Sequence, residues 1–73
     1  MSNDLLFFAR RKRNRMTQRD AAMQIGLPYW RYYHIERGWA VPTADEATRI
    51  ASFFEMPVDR LFPSTSAPQQ SVA

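Results

Sequence analysis

The chain holds only two glycines in 73 residues, Gly26 and Gly38, and a proline stands two positions after the first. Gly26 can take the left-handed conformation that stops a helix. Pro28 suits the first turn of a new helix, where its missing N–H costs nothing. Between the stop and the restart lies a single residue, Leu27, the natural apolar plug of a tight turn. The spacing therefore predicts two short helices joined by a tight turn, which is a helix-turn-helix unit. The second of them runs from about Pro28 to Arg37 and ends at Gly38.

The flanking segments read as helices too. Thr17 can cap the helix that precedes Gly26, with Asp20 as a short version of the capping-box acid, and Ala21, Ala22 and Ile25 share one inward side. A first helix spans about Asp4 to Arg13, with Ser2 or Asn3 as its N-cap and basic residues at the end that favours cations. Thr43-Ala44-Asp45-Glu46 is a capping box opening a helix whose apolar stripe is Ala47, Ile50, Ala51 and Phe54. Pro57 restarts a short turn of helix with Val58, Leu61 and Phe62 apolar. No segment alternates as a strand would. The expected fold is all-α, a compact bundle of about five short helices containing the helix-turn-helix, with a domain over residues 1–62. Residues 63–73 carry no charged side chain and no periodicity, and are expected to form a disordered tail.

Composition narrows the function. There is no cysteine and one histidine, His34, so neither a disulfide staple nor a metal site is expected. No Gly-rich phosphate loop or acid pair in an obvious cleft is present, and Asp45-Glu46 is the acidic first turn of its helix, so the chain does not read as an enzyme and no cofactor or small-molecule ligand is expected. The run Leu5-Leu6-Phe7-Phe8-Ala9 is far shorter than the ~20 apolar residues of a membrane span, and a cytoplasmic protein is expected. Charge is uneven: residues Arg10 to Arg37 hold eight basic and two acidic side chains, whereas from Gly38 onward there are two basic and four acidic. A basic half is the electrostatic footprint of a polyanion binder.

The pattern Thr17-Gln18-x-x-Ala21-Ala22-x-x-Ile25-Gly26-Leu27, followed by Tyr32-x-x-Ile35-Glu36-Arg37-Gly38, resembles the lambda-repressor-like (Cro/repressor, XRE-type) helix-turn-helix DNA-binding domain. The likeness continues through Val41-Pro42-Thr43, Ile50-Ala51-x-x-Phe54 and Val58-Asp59-x-Leu61-Phe62, covering about Leu5 to Phe62. It implies roles by position. Gln18 would donate to a DNA phosphate at a helix N-terminus, with Arg19, Tyr33 and Arg37 as further phosphate contacts. Tyr29, Trp30 and Arg31 fall on the first turn that reaches base edges, and His34 shares the face of Trp30. Tyr32 and Ile35 match buried positions. Glu36 matches an acid that pairs with an arginine of the first helix, either Arg10 or Arg11.

Three features depart from the usual pattern, one being the loop Arg13-Asn14-Arg15-Met16, which lacks the expected Gly. Pro28 stands where the family usually has Ser or Thr, and two base-reading positions carry large aromatics, so Tyr29 and Trp30 could instead serve a core or a subunit contact. The leading expectation is a transcriptional regulator, a repressor-type homodimer binding double-stranded DNA at a palindromic operator. Phe53, Val58, Leu61 and Phe62 are the candidate dimer interface. The alternative is a protein-interaction module on the same fold, an adaptor or an antitoxin-like partner.

Overall fold

A computed structural model of the chain describes residues 3–63. Ser2 and the expected tail beyond Pro63 lie outside the described residues. The described residues form five α-helices and no strand: α1 (Asp4–Lys12), α2 (Gln18–Ile25), α3 (Tyr29–Arg37), α4 (Ala44–Phe53) and α5 (Val58–Leu61). The chain divides into two units, Met1–Val41 with α1 to α3 and Pro42–Ala73 with α4 and α5.

In the first unit each helix boundary has a local cause. The Asn3 side chain accepts from the Leu6 N–H at 3.0 Å and caps α1, which settles the choice of N-cap. The Thr17 hydroxyl accepts from the Asp20 N–H at 3.0 Å and caps α2. Gly26, at φ 95°, ends α2 in the left-handed region, and the N–H groups of Gly26 and Leu27 both donate to the Ala22 carbonyl. Pro28 occupies the N-cap of α3 rather than its first helical position, with ψ 144°, and offers no side-chain cap. Its carbonyl instead accepts from the N–H groups of Arg31 and Tyr32, both at 3.1 Å. Gly38 (φ 80°) stops α3. The core of this unit is Leu6, Met16, Ala21, Ala22, Ile25, Tyr32 and Ile35. Here α2 packs on α3, and α1 on α3. Of the apolar run in α1 only Leu6 is fully buried; Phe8 is 64% exposed.

The turn between α1 and α2 lacks a glycine, and the backbone shows the consequence. Asn14 (φ 61°) and Arg15 (φ 54°) both sit in the left-handed region, where a Cβ crowds the following carbonyl.

In the second unit, the Thr43 hydroxyl accepts from the Glu46 N–H and the Glu46 carboxylate accepts from the Thr43 N–H, a complete capping box. Ala47, Ile50, Ala51 and Phe54, the stripe expected from the sequence, are buried. Glu55 closes α4 at φ 57°. Leu61 and Phe62 are 2% and 5% exposed within the single chain. The last turn directs its two largest apolar side chains inward. Phe53 and Val58 keep partial exposure.

Candidate nucleic-acid interface

Nine residues of α3 divide by face. Tyr32, Ile35 and Glu36 are buried, while Tyr29, Trp30 and Arg37 are exposed and Arg31, Tyr33 and His34 are intermediate. Since 3.6 residues make a turn, Tyr29 lies over Tyr33 and Trp30 over His34. The rings meet accordingly: Tyr29 stacks on Tyr33 with centroids 5.9 Å apart, and Trp30 meets His34 edge to face at 5.7 Å. Arginines close both ends of the row. The Arg19 guanidinium from α2 lies 4.7 Å from the Tyr29 ring centre, and that of Arg37 lies 5.7 Å from Tyr33. Cation–π pairs of this kind hold charged heads against the rings while leaving them at the surface.

Trp39 completes the face, and the sequence reading did not single it out. It stands just past the stop of α3, where its N–H donates to the His34 carbonyl at 2.8 Å. The indole meets Tyr33 at a right angle and His34 at 57°, both with centroids 5.5 Å apart, and Arg37 lies 5.1 Å above it. The signal was present in the chain: a tryptophan directly after a C-cap glycine folds back over the last turn of an already aromatic helix.

Behind this face a charged network fixes α3 to the other two helices. Arg10 makes a two-pronged pair with Glu36, Nε to Oε1 and Nη2 to Oε2, both at 2.9 Å, and its Nη1 donates to the Met16 carbonyl at 2.6 Å. The partner of Glu36 is therefore Arg10 and not Arg11. The hydrogen bond to Glu36 raises the already high pKa of this guanidinium. Gln18 joins the network from the first turn of α2, its Nε2 donating to Glu36 Oε2 at 3.1 Å. Asp4, Phe7, Arg10, Gln18, Glu36 and Arg37 line a shallow cleft over it. Tyr32 is wholly buried beside the pair, with no hydrogen bond of good geometry from its hydroxyl. Burial first, and then the Glu36 carboxylate, push its ionisation far above the ordinary value.

The residues expected to touch DNA are thus brought onto one unit, with two qualifications of geometry. The Gln18 amide is turned toward Glu36, leaving its second N–H to reach an anion. Arg31 leans back along the chain, Nη2 donating to the Val41 carbonyl at 3.2 Å, and is half buried rather than extended from the helix tip. Among the described residues no group of side chains could hold a metal ion, and no helix is long and apolar enough to cross a membrane.

A family model described as helix-turn-helix matches residues 8–61, from within α1 through the last residue of α5. Neither the curated proteins nor the solved structures give a significant match to the chain. The matched span contains the whole α2–turn–α3 unit, its capping residues and the Arg10–Glu36 pair. The chain belongs to the lambda-repressor-like, XRE-type helix-turn-helix family of DNA-binding regulators.

Proposed function

We propose that the chain is a sequence-specific transcriptional regulator, with residues 1–62 as its DNA-binding domain, that lays α3 in the major groove of a palindromic operator. The observation that carries this reading is the division of α3: three buried side chains seat it, and an unbroken aromatic and basic surface faces outward. Tyr29, Trp30 and His34 would read base edges, the rings against thymine methyls, and Arg31 would exchange the Val41 carbonyl for a guanine. Gln18, Arg19, Tyr33 and Arg37 would hold phosphates and so set the register without reading sequence. A cytoplasmic, repressor-type homodimer fits this scheme, since two recognition helices about 34 Å apart match successive major grooves. Phe53, Val58, Leu61 and Phe62 are the candidate interface, and of these Phe53 and Val58 keep exposed surface.

Titrating the protein onto mixed-sequence duplex DNA between 50 and 200 mM salt tests the reading. Ionic phosphate contacts predict that log K falls linearly with log salt, by about 0.9 for each phosphate neutralised. Arg19→Ala or Arg37→Ala should each flatten that slope by about one such contact. No measurable duplex affinity at the low-salt end would instead favour a protein-interaction module.

A further inference from the structure

The exposed rings of this surface offer more than a duplex can use. Trp30 and Trp39 are 58% and 61% exposed, and they are the only two tryptophans of the chain. Between them Tyr33 and His34 make ring contacts with Trp39, and Arg37 sits over both Tyr33 and Trp39. Trp39 does not belong to α3. It is set in place by the backbone bonds that Trp39 and Ala40 make to the His34 carbonyl, at 2.8 and 3.2 Å, so the indole is positioned by a helix cap. A contiguous patch of exposed rings held at the surface by backbone geometry marks an interaction site. Paired bases in a groove present only their edges, and the thymine methyl is their one apolar contact there. Unpaired bases present whole faces, which stack on aromatic side chains whatever their sequence, while a neighbouring arginine takes the phosphate.

We propose that the surface formed by Trp30, Tyr33, Arg37 and Trp39 binds single-stranded nucleic acid, stacking unpaired bases on the two indoles with Arg37 on the backbone. Three of these residues also belong to the proposed groove-reading face, but the two tests are separate: a chain that selects no duplex sequence can still pass the test below, and one that selects a duplex can fail it.

Both tryptophans lie on the surface, so intrinsic fluorescence reports on it directly. The full chain is titrated with a mixed-sequence single-stranded DNA of about 12 nucleotides, with the RNA strand of the same sequence, and with an abasic strand of equal length and charge. The expected result is quenching of tryptophan emission by a base-bearing strand, with the abasic strand binding at least about tenfold more weakly. Stronger binding of the DNA or of the RNA strand assigns the source of the unpaired bases. Trp39→Ala should lower single-strand affinity by about tenfold, and Trp39→Phe should recover part of it. The fold of each variant is checked by circular dichroism, and Trp30→Ala provides a second, independent loss. Equal affinity for the abasic and base-bearing strands, or unchanged affinity in folded Trp39→Ala and Trp30→Ala, overturns the proposal.

Discussion

Tyr32 and Glu36 are one turn apart on α3, and both are buried against a single arginine. Removing one member of a buried, hydrogen-bonded pair leaves the other charged and unsolvated, a cost of about 3–5 kcal/mol. Glu36→Ala should therefore lower the urea midpoint by most of the stability a chain this size can have. Replacing Arg10 and Glu36 together with apolar residues of similar volume should restore much of it. Tyr32 makes the opposite prediction. Its hydroxyl is buried without a good partner, so Tyr32→Phe should leave stability at neutral pH unchanged or raise it by about 1 kcal/mol. The phenol is held neutral in the fold, and its folded pKa lies above the unfolded value of about 10. Its contribution is fully present below that pH and is lost as pH rises beyond it. The alkaline fall in stability should be shallower in Tyr32→Phe, and a steeper fall would contradict the assignment. At this scale the sequence was only partly legible. That Glu36 pairs with an arginine of α1 was expected from the family, but Arg10 and Arg11 are neighbours on one helix, and the rotation of α1 decides between them. The side chains of Gln18 and Arg31 were expected to point outward. In the chain without DNA each finds an acceptor within its own unit, Glu36 and the Val41 carbonyl, and no spacing rule encodes that choice.

At the level of elements, the ends of the helices follow from residue chemistry. Thr17, Thr43, Gly26 and Gly38 act through bonds to residues three to five positions away, which is why a linear reading finds them. Residues that depend on distant partners were harder to place. Leu61 and Phe62 look like any exposed apolar turn until the chain around them is folded, and Trp39 lies outside every helical period. The turns also carry strain that glycine would relieve. Arg15 and Glu55 both adopt positive φ with a Cβ in place, and left-handed geometry costs roughly 1–2 kcal/mol for a side-chain-bearing residue. Arg15→Gly and Glu55→Gly should each raise stability by about 0.5–1 kcal/mol after the extra chain entropy of glycine is subtracted. Thermal unfolding of the two single variants checks this, and a fall in midpoint for either would show that its side chain contributes more than its backbone costs.

For the whole molecule, the proposed reading puts the recognition surface of this DNA-binding regulator on α3 and the residue that follows its cap. The charge asymmetry read from the sequence falls on the unit that carries α1 to α3, where Arg19 and Arg37 bracket the aromatic row. A homodimer on a palindrome should show a dimer in sedimentation with operator DNA, and Phe53→Asp or Val58→Asp should weaken it while leaving α3 intact. The most direct measurement is selection of bound duplexes from a random DNA pool at physiological salt, with the intact chain and with Trp30→Ala. The account predicts a preferred, two-fold symmetric sequence containing thymines, and a changed or weakened preference at those positions in the variant. Recovery of no preferred sequence, or of one that Trp30→Ala leaves untouched, would contradict the claim that this aromatic face reads DNA.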